Sequence, residues 1–222
     1  MDNKEIDKQV SEMLDRVLNT TKKKVEEANQ KQEKFKRLFF NRNFKYLVFS
    51  DIHGSGYYVD YLIKIIKKEK PNAVILLGDL YYHGPLNELT REYNPKKVAA
   101  SLNKYSDIIW AIRGNCDADV DNEISNFNLE DHLLLTIENK RLYFTHGDKV
   151  NMDNYPNEYF DVLIYGHYHT GFIKKDNNKI FVNSGSISLP KNNTKNSYLL
   201  IDEHNIYLKD LDNNIIDSVT YK

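Results

Sequence analysis

From Tyr46 onward, short apolar runs punctuate the chain, and five of them lead into a residue able to donate oxygen or nitrogen to a cation. Tyr46 to Ser50 leads into Asp51, Ala73 to Leu77 into Asp79, and Ile108 to Ile112 into Arg113, Gly114 and Asn115. Runs this short, bounded by turn formers, read as buried strands. Between the first two, Gly54 and Gly56 allow a tight turn into a helix facing inward with Val59, Leu62, Ile63 and Ile66, and Pro71 ends it. Asn94 as N-cap and Pro95 at the first helical position open a second helix, with Val98, Leu102 and Tyr105 on its inner face. Strand, helix, strand order predicts parallel neighbours carrying Asp51 and Asp79 on one edge.

Beyond Asn115 the pattern turns to hairpins. Leu133 to Ile137 and Leu142 to Thr145, joined by Glu138 to Arg141, lead to His146, and Val162 to Tyr165 lead to His167. Phe172 to Lys175 and Ile180 to Asn183 form a hairpin around Asn177 and Asn178, and strands at Tyr198 to Ile201, Ile206 to Leu208 and Ile215 to Val219 complete the set. Residues 80–93 and 116–132 read as loops. The result is an α/β domain over residues 45–222.

Residues 1–44 differ from this domain in having no glycine or proline, and they carry 11 Lys/Arg against 8 Asp/Glu. Ile6, Val10, Met13 and Val17, widened by Leu14 and Leu18, predict a helix of about five turns or more. The stripe thins after Thr21 to Val25 and Ala28. This extension reads either as a docking or self-associating helix through residues 1–40 or as a solvated appendage.

A formal net charge of −1 gives no sign of a polyanionic partner. A single cysteine excludes an intramolecular disulfide and fits a reducing compartment. Charged residues follow Met1, and no apolar run approaches the roughly 18 residues that span a membrane. A cytoplasmic protein is expected.

The chemistry gathers at Asp51, His53, Asp79, Asn115, His146, His167 and His169, all at or just beyond strand ends, where open α/β sheets hold their ligands. Carboxylates, imidazoles and a carboxamide suit Mn²⁺, Fe, Zn²⁺, Ni²⁺ or Co²⁺. The one-residue spacing in Asp51–His53 and His167–His169 would aim both members of each pair one way if the segment were extended.

In order, the blocks DIH, GDL, GNCD, HGD and GHYH resemble those of the calcineurin-like metallophosphoesterases. Within that family, HGPxN (His83 to Asn87) and GNCD are shared with the small bacterial YfcE-type phosphodiesterases. The resemblance runs from about Lys45 to the C-terminus and implies two packed mixed β-sheets flanked by helices in four layers, αββα. It also implies two divalent metals, Mn²⁺ foremost, with Asp79 bridging. Asp51, His53 and His169 would complete one metal, and Asn115, His146 and His167 the other. Attack on a small phosphoester by a water or hydroxide shared between the metals is the implied reaction, with Asn115, Cys116 and Asp117 the catalytic set.

Many members of the family carry GNHD or GNHE, whose His is taken to protonate the leaving group. Cys116 stands in its place, followed by Asp117. A thiol has a reference pKa near 8.5 and no second nitrogen for Asp117 to orient, so activated or cyclic esters are favoured, or the role moves to water or another side chain; the other reading of Cys116 is a small buried residue of no catalytic weight. His83 and Asn87 read as pocket lining or loop hydrogen bonding, Arg113 as a phosphate partner or a salt bridge, and His132 and His204 as surface bystanders. The retromer scaffold subunit resembles the same fold but binds proteins with an eroded metal site, which is the alternative reading; retention of all seven ligands favours the enzyme. A nuclease would need a basic groove or a stacking platform, and neither is evident.

Overall fold

The computed structural model describes residues 3–40 and 43–222, which fall in two compact units divided between Phe40 and Asn41. The first unit is a single helix, α1 (Asn3–Phe39), of 37 residues, about 55 Å at 1.5 Å per residue. It continues past Thr21, where the apolar stripe thins, because the rest is largely Lys, Glu, Gln and Ala, which favour the helix without needing a buried face. Met13, Leu14, Val17 and Leu18 are each more than half exposed. The side chains of Ile6 and Val10 lie outside the described residues.

The second unit opens with the alternation that the apolar runs predict: β1 (Tyr46–Phe49), α2 (Gly56–Glu69), β2 (Ala73–Leu76), α3 (Pro95–Asn103) and β3 (Ile109–Ile112). β1, β2 and β3 are parallel neighbours. The side chain of Ser55 accepts a hydrogen bond from Tyr58 N at the start of α2, and that of Asn94 accepts from Lys97 N at the start of α3, each satisfying a free helix N–H. Val59, Leu62 and Ile66 of α2 and Val98 and Leu102 of α3 pack on Leu47, Phe49, Val74 and Leu76 of this sheet. All four residues of β1, β2 and β3 are buried, so the sheet is covered on both faces, as parallel strands require.

The segment 116–132 is not wholly loop. It holds a one-turn helix, α4 (Asp121–Ile124), and a two-residue strand, β4 (Leu129–Glu130), paired in parallel with β3. Two strand residues cannot show alternation in a sequence; the Asn122 side chain, which accepts from Leu129 N, fixes them instead. There follow β5 (Leu133–Ile137), β6 (Lys140–Phe144), β7 (Val162–Tyr165), β8 (Phe172–Asp176), β9 (Lys179–Asn183), β10 (Ser197–Ile201), β11 (Asn205–Asp210) and β12 (Ile215–Thr220). The turn from β5 to β6 is tighter than the apolar run suggests, since Ile137 pairs with Lys140 and leaves only Glu138 and Asn139 between them.

These strands form two mixed sheets, β12-β11-β10-β1-β2-β3-β4 and β5-β6-β7-β9-β8. Among the described residues no helix is long and apolar enough to cross a membrane.

Candidate metal centre

Asp51, Asp79 and Asn115 follow β1, β2 and β3, while His146 and His167 follow β6 and β7, which are also parallel neighbours. Both sheets therefore bring the C-terminal ends of their parallel strands to one place. The backbone there is not extended. Asp51 (φ 57°), His53 (47°), Asp79 (55°), His167 (62°) and His169 (56°) all occupy the left-handed region, at a cost of about 1–2 kcal/mol each. Asp51 and His53 still converge, at 3.7 Å between Oδ1 and Nε2, but the expectation that His167 and His169 point the same way fails: His169 Nε2 faces His53, whereas His167 Nδ1 faces His146 Nε2 at 3.2 Å.

Hydrogen bonds hold this strained backbone. Asp51 N donates to Gly78 O and His53 N to Asp79 O. The hydroxyls of Ser186 and Ser188 both donate to Asp51 O at 2.8 Å, and Asp51 Oδ2 accepts from His167 N at 3.0 Å. Asn183, which the sequence places at the end of a hairpin strand, donates its amide to Gly166 O at 2.6 Å.

Three rings have their tautomers set by backbone carbonyls, which can only accept. Nδ1–H of His53 donates to Tyr82 O (2.8 Å), that of His146 to Leu77 O (2.7 Å) and that of His169 to Leu189 O (2.7 Å). Each Nε2 is left as a bare donor of electron pairs, the arrangement that prepares a histidine to bind a cation. His53 Nε2 and His169 Nε2 stand 3.1 Å apart. Asp51 Oδ1 lies 3.3 Å from His169 Nε2 and 3.7 Å from His53 Nε2, and is buried with no hydrogen-bond partner beyond these rings. Asp79 Oδ2 is 3.6 Å from Nε2 of both His53 and His146, and His146 Nε2 is 3.0 Å from Asn115 Oδ1. Electron-pair donors crowded together without protons between them fit divalent cations, and Asp79 lies where one carboxylate can serve two.

Electrostatics agree with that reading at Asp51, His53 and His167; at His146 burial is outweighed by the Asp79 and Asp51 charges, which raise its pKa, so a cation there takes the place of a proton. Burial would push the Asp51 carboxyl up, but the imidazoles of His169, His146 and His53 around it hold it well below the usual carboxylate range. Burial lowers His53 against the pull of Asp51 and Asp79, and lowers His167, so both favour the neutral ligand form. Close approach is possible because two positions lack a side chain. A Cβ at Gly114 would collide with the Asp79 carboxylate, and one at Gly166 with the Ser50 side chain and the Asp51 carboxylate.

The other candidates separate clearly. The Asp117 carboxylate is taken up by three backbone donors, Asp79 N, Leu80 N and Gly114 N, each at 2.8 Å. It pins the Asp79 and Asn115 turns together and orients no side chain. The Cys116 thiol lies within 4.8 Å of ligand atoms of His53 and Asp79, and burial, reinforced by the Asp79 charge, pushes its pKa up to about 12. Asn87 donates its amide to His83 O, so these two residues close their own loop, and a Cβ on Gly84 would touch Cys116 Sγ. Arg113 pairs with Asp119 at 2.9 Å.

His204 sits on the turn between β10 and β11. His132 is exposed, as expected of a surface residue, and with Arg113 and Asn115 it lines a cavity of about 620 Å³ beside the centre. Sequence reading also missed Ser186 and Ser188 and the carbonyls of Leu77, Tyr82 and Leu189, because a backbone oxygen leaves no mark on residue type.

Residues 44–205 match the family model for the calcineurin-like phosphoesterase superfamily domain. Phosphodiesterase YfcE of Escherichia coli K12 is 34% identical over 160 residues, which are 71% of this chain and 87% of that protein. The solved structure of Yfce, a phosphoesterase from E. coli, superposes with a TM-score of 0.77 at 32% identity, over 80% of this chain and all of that one. Vacuolar protein sorting 29 from Cryptosporidium parvum shares the fold alone, with a TM-score of 0.55 at 16% identity over 81% of this chain and all of its own. The order of the site blocks, the two mixed sheets and these likenesses agree: the chain belongs to the calcineurin-like phosphoesterase superfamily and is a hydrolase.

Proposed function

We propose that the protein is a phosphodiesterase that hydrolyses a small phosphoester with two divalent metals, Mn²⁺ foremost. The observation that carries this reading is the position of Asp79 Oδ2, 3.6 Å from the bare Nε2 of His53 on one side and of His146 on the other. Asp51, His53 and His169 would hold one cation, Asn115, His146 and His167 the second, and Asp79 both. The pair supplies an acidified water for attack at phosphorus and neutralises charge on the phosphoryl oxygens.

The chain's own residues set what surrounds that chemistry. Asn115 contributes a neutral oxygen, which preserves the net positive charge of the site. Asp117 is a positioning residue, binding the N–H groups of Asp79, Leu80 and Gly114 so that the turns carrying Asp79 and Asn115 move as one. Cys116 offers a thiol where an imidazole would protonate the leaving group, and Asp117 is spent on backbone N–H groups, so esters whose leaving group departs without protonation would be the better substrates.

Hydrolysis of bis-p-nitrophenyl phosphate by chelated protein, with Mn²⁺ added back, tests the reading. Activity should return with the metal and be abolished in Asp79→Ala. Folded protein that hydrolyses neither diesters nor monoesters with any divalent metal would overturn it. Residues 1–40 carry a separate proposal, self-association or docking of a protein partner, supported by the exposed Met13, Leu14, Val17 and Leu18 of α1.

A further inference from the structure

The cavity of about 620 Å³ that opens at Asn115 is larger than a phosphoryl group and a small alkyl arm require. One wall is a stacked pair: the ring of His132 lies parallel to that of Tyr143, at 5° and 5.0 Å between centroids. Tyr143 is buried and His132 exposed, so the imidazole is a flat platform backed by a fixed phenol. The loop after His146, carrying Asp148 and Lys149, also lines the cavity. That loop is tied down by Asn151, whose amide donates to Gly147 O at 2.9 Å, and by Asn154, whose amide donates to Lys149 O at 2.5 Å.

The charges in the cleft narrow the occupant. Among the side chains lining the cleft, Arg113 and Lys149 are matched by Asp131 and Asp148, so beyond the metal centre itself they add no excess of positive charge to hold a second phosphate or a polyanionic strand. An acyl chain would leave this polar lining unpaired. Carboxylates on the wall accept hydrogen bonds from hydroxyl and amino groups, and a stacking platform accepts a planar ring.

Building on the phosphodiesterase reading, we propose that the Arg113–His132–Lys149 cleft binds the retained ester arm of the substrate and that this arm is a nucleoside, its base stacked on His132. The substrate class is a nucleoside phosphodiester.

Two substrates with a common leaving group test the assignment, thymidine 5′-(p-nitrophenyl phosphate) and methyl p-nitrophenyl phosphate, assayed with Mn²⁺. The thymidine ester should be preferred in kcat/KM, His132→Ala should reduce that preference by about fivefold to a hundredfold, and His132→Phe, which keeps a flat ring, should retain it. A preference unchanged in His132→Ala overturns the proposal. A second readout needs no metal. In chelated protein, the His132 ring-proton resonance, identified by its absence in His132→Ala, should move upfield when millimolar thymidine is added and stay still with glycerol. A resonance that ignores thymidine also overturns it. If the resonance moves but no phosphoester is hydrolysed with any metal, the nucleoside site stands and the catalytic reading falls.

Discussion

His53 and His169 present their Nε2 atoms to each other at 3.1 Å, although both rings have already donated their Nδ1 proton to a backbone carbonyl. Two acceptors held at that distance repel unless a cation or a proton lies between them. Folding therefore places strain at this point that ligation relieves, and the same logic covers the unpaired oxygen of Asp51.

Metal should consequently stabilise the fold. Mn²⁺ at about 100 times its Kd adds about 2.7 kcal/mol, a rise in Tm of roughly 5–10 °C for a domain of this size. Differential scanning calorimetry of chelated and reloaded protein measures it. His53→Ala and His169→Ala should lose most of the increment; a Tm indifferent to chelation and reloading would count against cation binding.

Gly166 tests the closeness of the two halves of the centre. In Gly166→Ala the new methyl meets Ser50 and the Asp51 carboxylate, an overpacking that should cost about 1–3 kcal/mol. Adding Ser50→Gly opens space at the nearest contact, so the double variant should recover part of the loss in thermal denaturation. Strictly additive effects would show that the methyl is accommodated elsewhere.

Cys116 should be slow to alkylate. With its pKa pushed up to about 12, the thiolate fraction at pH 8.5 is about a thousandth of that of an ordinary thiol, which is half ionised there. Iodoacetamide should modify chelated, folded protein at least about 100-fold more slowly than unfolded protein. The rate should go on rising about tenfold per pH unit between pH 9 and 11, where a free thiol levels off. Equal rates at pH 8.5 would remove the argument that the thiol keeps its proton. Cys116→His should broaden the leaving groups accepted toward poorer ones, read as a shallower dependence of kcat/KM on leaving-group pKa.

The extension makes its own prediction. Multi-angle light scattering of the full chain should report a dimer, and a chain beginning at Asn41 should report a monomer. The same number of subunits in both would exclude α1 as the contact.

Much of the centre was legible before any coordinates, because strand ends are written locally. A run of four or five apolar residues followed by Asp, Asn or His needs only its neighbours to be read, and β1, β2, β3, β6 and β7 all deliver their residues as the pattern implies. The two parallel units followed from strand, helix, strand order alone. What was misread locally was backbone shape: Asp51, His53, His167 and His169 are left-handed, a conformation that residues with a Cβ adopt only when surrounding hydrogen bonds compel it. Those bonds come from Ser186, Ser188 and Asp79, remote in sequence from at least one residue they restrain.

By itself, then, the sequence determined which residue types arrive at which strand ends, and with them the family and the class of chemistry. Only the tertiary structure decided which nitrogen of each histidine is bare, since Leu77, Tyr82 and Leu189 act through carbonyls that every residue possesses. It also decided that Asp117 clasps backbone rather than a side chain, and that His132 forms a wall of a cleft. Both depend on packing between segments far apart in the chain, where distance in sequence carries no information about distance in space.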